Sequence, residues 1–183
     1  MGSTHQPGWD DAAIVRAVLA DYPLPRDGPH GVAHWARVLE NGLGLAELTG
    51  ADPGVVRLFA LLHDSRRADE GADPEHGPRA AEFARVLRGR LFDLDDARFA
   101  LLHRACAGHT RARTDPDVTV RTCYDADRLD LGRVGITPDP ALLCTPEARR
   151  PEVIRRSHGR AVFGVIPGLV ATDWGIVPRR RGR

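Results

Sequence analysis

The spacing of apolar residues along the chain predicts a protein built from helices. Apolar positions recur at helical intervals over residues 14–19, after Asp10 and Asp11, and Pro23 and Pro25 end that segment. Similar spacing predicts further helices over residues 29–48, 76–87, 94–107 and 116–131. Alternating strand patterns are scarce, so we predict an all-α fold, a single-domain helical bundle.

One predicted helix differs from the others because it is apolar almost all round. Asp52 followed by Pro53 is a favoured helix start, since the carboxylate caps free N–H groups and proline suits the first turn. The residues from Val55 to Leu62 are nearly all apolar, which indicates a buried central helix. His63 and Asp64 follow at its C-terminal end.

Length and composition fit one domain. The chain has 183 residues, of which 42% are hydrophobic, enough to form a core. We expect residues 1–9 to form a loose N-terminus, residues 10–177 the helical domain, and residues 178–183 a basic tail. The stretch after Gly135 is rich in Pro and Gly, and its pattern predicts little.

The charged residues narrow the chemistry. A net charge of +1 with 28% charged residues argues against general nucleic-acid binding. The chain contains no lysine, which excludes a P-loop lysine and a Schiff base. Any phosphate must therefore be held by arginine, histidine, backbone N–H groups or a metal ion.

The cysteines and the apolar runs bear on the compartment. Cys106, Cys123 and Cys144 are scattered without a CxxC spacing, which argues against a structural zinc site. Their odd number and the absence of a signal-peptide pattern favour a cytoplasmic protein. The apolar runs fall short of the ~20 residues that span a bilayer, so we expect no membrane association.

The pair His63–Asp64 is placed awkwardly unless a cation compensates it. A carboxylate at the C-terminal end of a helix faces the negative end of the helix dipole, and a histidine after an apolar run is partly buried. Imidazole nitrogen and carboxylate oxygen are common ligands of divalent metals. The pair alone is weak evidence, but other histidines and aspartates accompany it on neighbouring helices: His30, His34, His76, His103, His109, Asp125, Asp127 and Asp130.

The order His34, His63–Asp64, Asp127 resembles the H…HD…D signature of the HD-domain superfamily of metal-dependent phosphohydrolases. The resemblance spans residues 28–136 and includes the segments HWARVLENG, LFALLHDSRR, EHGPRAAEFAR, ACAGHT and DADRLDLGRVGI. It implies a helical domain that hydrolyses a phosphate ester. The substrate would be a nucleotide or another small phosphorylated metabolite.

The resemblance also implies a set of metal ligands. His34, His63, Asp64 and Asp127 would hold one ion. In some family members further histidines hold a second ion, and His76 and His109 match those positions best, with Asp64 bridging both ions. Mixed His/Asp ligation fits Mn, Fe, Co, Ni or Zn, and the sequence leaves open whether one or two ions bind.

Other residues near the motif are candidates for catalysis and substrate binding. Asp64 could in addition orient the attacking water, and His30 could donate a proton to the leaving group or contact the substrate. Glu70 is a weak match to a glutamate that positions water in some HD nucleotidases. The substrate-binding candidates are Arg66, Arg67, Arg128 and His103, with a purely structural role open for each.

Two other functions stay open. Some HD-fold proteins are mixed-valent di-iron oxygenases with six ligands in the same general order, and a degenerate HD fold could bind a nucleotide as a sensor without turnover. The sequence also leaves open whether the protein forms a homodimer.

Overall fold

The computed structural model describes residues 8–177. The predicted basic tail, residues 178–183, and most of the predicted loose N-terminus lie outside the described residues. Within that N-terminus, Trp9 is packed: its ring lies edge-on against Phe92, and its Nε1 donates a hydrogen bond to Asp11. None of the helices in this range is long and apolar enough to cross a bilayer.

The prediction of an all-α fold is confirmed. Residues 8–177 contain no strand, apart from an isolated bridge between Arg88 and Phe92. The α-helices are α1 (Asp11–Ala20), α2 (Val32–Thr49), α3 (Pro53–Leu62), α4 (His76–Leu87), α5 (Asp96–Gly108), α6 (Val118–Arg128), α7 (Pro151–Val162) and α8 (Leu169–Thr172). Two short 3₁₀ helices, Leu131–Val134 and Pro140–Leu142, lie between α6 and α7.

Helix α3 is the buried centre of the fold, as predicted. Its side chains from Val55 to Leu62 are buried except for that of Arg57. It packs against α1, α2, α4, α5 and α6. Asp52 caps it by accepting hydrogen bonds from the N–H groups of Gly54 and Val55, both at 2.9 Å. The cap fixes where α3 begins, and hence where its far end places His63 and Asp64.

Helix α2 begins later than predicted, at Val32 instead of near residue 29. The chain before it forms a tight turn in which Gly31 donates a hydrogen bond to the carbonyl of Gly28. A Cβ at Gly31 would lie 2.1 Å from the carbonyl oxygen of Arg26, so only glycine fits this turn. The turn leaves His34 in the first helical turn of α2, and His30 in the loop before it.

The sequence pattern did not predict α7 and α8. Helix α7 buries Val153, Ser157 and Ala161 at helical intervals, but most of its residues are polar or small, so few apolar positions mark it as a helix. It packs against the 3₁₀ helix Leu131–Val134 and against α2. The C-terminal segment therefore completes the wall of the fold near the ends of α2 and α6.

Candidate metal centre

Six of the residues that the sequence singled out come together where several helix ends meet. His34 lies in the first turn of α2, His63 and Asp64 follow α3, His76 begins α4, His109 follows α5, and Asp127 lies in the last turn of α6. The C-terminal ends of α3, α5 and α6 thus converge, and their dipoles place partial negative charge at this point. The location favours a bound cation.

The first group of candidate ligands is His34, His63 and Asp127, whose ligand atoms lie within 4.8 Å of one another. The Nε2 atoms of His34 and His63 are 3.1 Å apart. The Oδ1 atom of Asp127 lies 3.5 Å from Nε2 of His34 and 3.9 Å from Nε2 of His63. These three side chains come from three different helices.

The second group is Asp64, His76 and His109, again within 4.8 Å of one another. The Nε2 atoms of His76 and His109 are 2.9 Å apart. The Oδ1 atom of Asp64 lies 3.1 Å from Nε2 of His76 and 3.8 Å from Nε2 of His109. This group is buried almost completely.

Asp64 connects the two groups because each of its oxygens faces one of them. While Oδ1 faces the second group, Oδ2 lies 3.5 Å from Nε2 of His34 and 3.7 Å from Nε2 of His63. A carboxylate in this position can bridge two metal ions. The position is the one that the resemblance implied for Asp64.

The hydrogen bonds of the four histidines determine which nitrogen of each ring is free to bind a metal. The Nδ1 atom of His63 donates to the carbonyl of Phe59 at 3.2 Å, that of His109 to Cys106 at 2.8 Å, and that of His76 to Asp73. The Nδ1 atom of His34 donates to the carboxylate of Asp130 at 2.8 Å. Carbonyl and carboxylate oxygens only accept hydrogen bonds, so in the neutral rings each Nε2 presents a lone pair to the centre.

These lone pairs, together with an unpaired carboxylate oxygen, test whether the residues fit a metal. Within each group two Nε2 lone pairs point at each other across about 3 Å, an arrangement that repels unless a cation lies between them. Among the described residues, Oδ1 of Asp127 is buried without a hydrogen-bond donor. Nitrogen and carboxylate donors in this mixture suit a divalent first-row transition metal. The residues fit one or two such ions.

Most of the pKa shifts at the centre agree with this interpretation. His109 is the exception: burial lowers its pKa, but its contacts with Asp64 and Asp127 outweigh burial and raise it above its ordinary value. Burial lowers the pKa of His63 to about 3, so its ring is neutral near pH 7. Burial alone raises the pKa of Asp64, but its electrostatic interaction with the four surrounding histidines outweighs burial and holds the pKa well below its ordinary value. Similarly, burial raises the pKa of Asp127, while Arg133 and the histidines lower it further. Both carboxylates are therefore ionised.

Asp130 supports the centre from outside it, and the sequence analysis assigned it no role. Its carboxylate is fully buried, accepts the hydrogen bond from His34, and pairs with Nε and Nη2 of Arg37 at 2.6 Å and 3.0 Å. Such a partner fixes the tautomer and orientation of a ligating histidine. The available signal was spacing: Asp130 follows Asp127 by three residues, as Arg37 follows His34.

Asp125 has a structural role. Its carboxylate accepts hydrogen bonds from the N–H groups of Cys144 and Thr145 at 2.6 Å and 2.8 Å, and from the hydroxyl of Thr145 at 2.7 Å. It thereby ties the end of α6 to the segment before α7. The preference for Asp127 over Asp125 as the metal-facing residue agrees with this geometry.

His30 lies beside the centre, paired with Glu70. Its Nδ1 contacts the carboxylate of Glu70, and its backbone carbonyl accepts a hydrogen bond from the hydroxyl of Tyr22 at 2.7 Å. Burial lowers the pKa of His30, and the hydrogen bond with Glu70 opposes that shift. The rings of His30 and His34 are 6.3 Å apart, so His30 is close enough to act on a substrate bound at the centre.

The four substrate-binding candidates lie in different surroundings. The guanidinium of Arg66 stacks 3.5 Å above the ring of Phe83, and Nη1 of Arg67 is 3.2 Å from Nδ1 of His76 while Nη2 donates to Gly71. Arg128 donates to the carbonyls of Ala112, Arg113 and Leu142. His103 lies on the surface between α4 and α5, 3.0 Å from Glu82.

Only Arg67 of these four lies against a candidate ligand. The guanidinium of Arg128 is occupied by protein acceptors, and His103 lies apart from His109 on α5 because six residues on a helix separate the two directions by roughly 120°. The structure therefore does not bring Arg128 or His103 to the metal centre. Their predicted substrate contacts stay predictions without geometric support.

Comparisons with known proteins agree with the geometry. No family model and no curated protein matches the sequence. Among solved structures, the chain is similar to a predicted HD superfamily hydrolase from an uncultured Thermotogales bacterium, with 29% identity and a TM-score of 0.61. The match covers 85% of this chain and 87% of that chain.

The helical fold with six converging His and Asp side chains defines a helical metal-site domain. Together with the structural match, this arrangement supports a relationship to the HD-domain superfamily. At the level of reaction class, the similarity supports a hydrolase of the HD type.

Proposed function

We propose that the protein is a metal-dependent phosphohydrolase that acts on a nucleotide or another small phosphate ester. One observation carries the proposal: four Nε2 lone pairs and two ionised carboxylates converge, and Asp64 faces both groups of histidines. Such a site suits phosphoryl transfer to water because its bound metal ions would polarise the phosphoryl group and lower the pKa of water.

The residues of the chain have distinct tasks in this proposal. His34, His63 and Asp127 would hold one ion, His76 and His109 would hold the other, and Asp64 would be a ligand of both and would orient the attacking water. Asp130 keeps His34 in the tautomer that presents Nε2 to the centre. The buried, closed position of the six side chains limits their rotamers, so the site is arranged before the substrate arrives.

His30 is proposed to deliver a proton to the leaving group. In hydrolysis, the oxygen of water bonds to phosphorus, the ester P–O bond breaks, and the departing oxygen takes up a proton. His30 is placed for this because it lies next to the centre but is not one of the converging ligands. Its contact with Glu70 orients the ring.

The test is metal content measured together with phosphate release. We expect the purified protein to bind Mn, Fe, Co, Ni or Zn and to release phosphate from at least one nucleoside monophosphate or simple phosphomonoester. Asp64→Asn should lower metal content and reduce the rate by more than about 100-fold, since loss of a direct ligand exceeds the effect of losing an outer partner.

Asp93→Asn is the matched control, because Asp93 is exposed on the segment between α4 and α5. It should keep the metal content and rate of the wild type. Full metal and full activity in Asp64→Asn would mean that the site is assigned wrongly. Metal binding without phosphate release from any ester would instead favour a nucleotide-binding sensor.

A second function, that of a mixed-valent di-iron oxygenase, is supported by the same convergence of six ligands in two groups bridged by a carboxylate. The ligand set is common to both activities, so the discriminating measurement is spectroscopic. Iron with a mixed-valent EPR signal and substrate-dependent uptake of O₂ would favour the oxygenase. Phosphate release that is independent of O₂ would favour the hydrolase.

A further inference from the structure

Arg133 is a buried arginine whose charge is only partly used by the protein. It lies in the 3₁₀ helix Leu131–Val134, which follows α6 and its candidate ligand Asp127. Its side chain is only 9% exposed. Among the described residues, its Nε and Nη1 have no hydrogen-bond acceptor. Its Nη2 lies 3.8 Å from Oδ1 of Asp127, beyond hydrogen-bond distance. Buried N–H groups left unpaired are costly, so this position calls for an anionic acceptor.

Arg37 gives an internal comparison, since it lines the same cavity as Arg133. Its Nε and Nη2 bind the carboxylate of Asp130, and its Nη1 donates to the carbonyl of Val165 at 3.0 Å. All three nitrogens are therefore satisfied within the fold. The guanidinium of Arg37 therefore stabilises the fold, whereas that of Arg133 has N–H groups left to bind a ligand.

The cavity beside Arg133 is large enough for a small molecule. Its volume is about 1020 Å³, comparable to known ligand pockets, and it lies between the loop before α2 and the segment 161–177. Most of its lining side chains are apolar, including Val32, Val162, Ile166 and Ile176. Asp27 is the one carboxylate among its described lining residues, and it is exposed.

The C-terminal segment both positions Arg133 and forms a wall of this cavity. A Cβ at Gly132 would lie 2.8 Å from Nδ1 of His158 and 3.0 Å from Cβ of Ala161, so the 3₁₀ helix packs directly against α7. The same segment then exposes Phe163, which is 84% exposed, and Ile166, which is 42% exposed, along the cavity. Residues 161–177, which the sequence pattern left without a role, are thus placed to contact a substrate.

We propose that Arg133 binds the phosphoryl oxygens of the substrate, and that the apolar cavity binds an uncharged, largely apolar alcohol portion. The proposal rests on the phosphohydrolase function and narrows its substrate class. One unpaired guanidinium beside Asp127 matches a single phosphoryl group, and the fork of an arginine suits two of its oxygens. The preferred substrate is accordingly a small phosphomonoester with an apolar body, rather than a nucleoside polyphosphate.

Phenylphosphonate and methylphosphonate are suitable probes because neither contains a P–O ester bond to hydrolyse. Binding is measured by calorimetry on the metal-loaded protein, with metal content determined for each variant. Arg133→Gln should weaken phenylphosphonate binding about tenfold or more, the range for a charge-assisted hydrogen bond. Arg133→Lys, which keeps the charge but not the fork, should lie between Arg133→Gln and the wild type.

Arg156→Gln is the matched control, since Arg156 is exposed on α7. It should bind both phosphonates as the wild type does. Ile166→Asn, a neutral polar substitution in the cavity wall, should reduce the preference for phenylphosphonate over methylphosphonate while leaving methylphosphonate binding within about twofold.

Two results would overturn the role proposed for Arg133. One is unchanged phenylphosphonate binding in Arg133→Gln at full metal content. The other is loss of metal in both Arg133 variants in proportion to lost binding, which would show that Arg133 only stabilises Asp127. Equal affinity of the wild type for the two phosphonates would overturn the assignment of the apolar cavity.

The measurements separate this proposal from that of the function. Phenylphosphonate binding that depends on Arg133, in a protein that releases no phosphate from any ester, would keep the binding site and reject the hydrolase. Phosphate release from esters in the wild type, with Arg133→Gln unaffected in KM and in phosphonate binding, would keep the hydrolase and reject the binding site.

Discussion

The two ends of helix α3 differ in how their charged groups are satisfied. At the N-terminal end, Asp52 caps the helix and pairs with Nε and Nη2 of Arg98 at 2.7 Å and 2.8 Å, near the surface. At the C-terminal end, His63 and Asp64 are buried and face side chains from α2, α4, α5 and α6. The charged groups at the first end are satisfied by local partners, while those at the second end are arranged so that they could hold a cation.

This difference supports the proposal that the C-terminal end of α3 is the functional one. Local capping at Asp52 satisfies the N–H groups of its own helix and leaves no donor or acceptor for a ligand. The C-terminal end gathers ionised carboxylates and neutral imidazoles in a low-dielectric interior, where uncompensated groups are expensive. A protein keeps such an arrangement when a ligand stabilises it.

The largest expected effect comes from breaking the support of the buried end with Asp130→Asn. The substitution removes the charge that holds Arg37 and one of the two acceptor oxygens, so that His34 and Arg37 compete for the oxygen that remains. We expect a loss of about 3 to 5 kcal/mol in the free energy of unfolding, because a buried cation loses its partner. Metal affinity should fall about 10- to 100-fold.

Denaturant unfolding and metal titration measure these two effects, with Asp93→Asn as the exposed control. A free energy of unfolding within about 1 kcal/mol of the wild type would contradict the role given to Asp130, on the scale of buried ion pairs.

Removing the metal should affect the protein nearly as strongly. A metal present at 1,000 times its Kd stabilises the folded state by about 4 kcal/mol, which raises Tm by roughly 8 to 16 °C for a chain of this size. Chelation followed by addition of each candidate metal, monitored by calorimetry, tests this. Asp52→Ala should show the same shift, since the N-terminal end of α3 binds no metal. If none of the metals raises Tm, the ligand assignment fails.

A third test separates the two groups of ligands. Gly77 lies where α4 meets α5, and a Cβ there would be 2.6 Å from the carbonyl of Cys106 and 3.3 Å from Cε1 of His109. Gly77→Ala should lower the free energy of unfolding by about 1 to 3 kcal/mol, because the new methyl group overpacks this contact. It should also push His76 away from His109. We expect metal analysis to show loss of the ion held by His76 and His109 while the other ion is retained.

Gly44→Ala is the matched control, because a Cβ at Gly44 on α2 meets no atom within 4 Å. It should stabilise the protein by about 0.5 to 1 kcal/mol through helix propensity alone and keep full metal content. Equal metal loss in the two alanine variants would remove the case for two separate groups.

The smallest effect is expected at the N-terminal end. Asp52→Ala removes the side-chain cap of α3 and the ion pair with Arg98. We expect it to lower the free energy of unfolding by about 1 to 2 kcal/mol at pH 7. Burial by itself raises the pKa of Asp52, but hydrogen bonds from Arg98, Val55 and Gly54 outweigh it and hold the pKa below its ordinary value of 3.8.

The direction of the pH dependence follows from that lowered pKa. The stabilisation by Asp52 is fully present above its unfolded-state pKa and is lost as the pH falls through the folded-state value. The difference in unfolding free energy between the wild type and Asp52→Ala should thus shrink below about pH 4. A difference that stays constant from pH 7 to pH 2.5 would show that Asp52 acts without its charge.

The sequence predicted the elements with strong local signals. Asp52–Pro53 marked the start of α3, and the apolar run from Val55 to Leu62 marked its burial, because capping and periodicity are properties of neighbouring residues. The ordered histidines and aspartates predicted the six residues that converge, through resemblance to a family. Helix α7 has no comparable apolar run, since only Val153, Ser157 and Ala161 of its side chains are buried.

Sequence by itself determined the helical class and the central helix, since both follow from residue type and short-range spacing. It indicated the candidate ligands through an ordered motif that resembles a known family. Tertiary structure decided which groups meet: Asp130 with His34 and Arg37, and Arg133 with Asp127 and with the cavity that Arg133 lines. These contacts join residues up to 96 positions apart. No local pattern encodes them, because they depend on how helices pack around a common core.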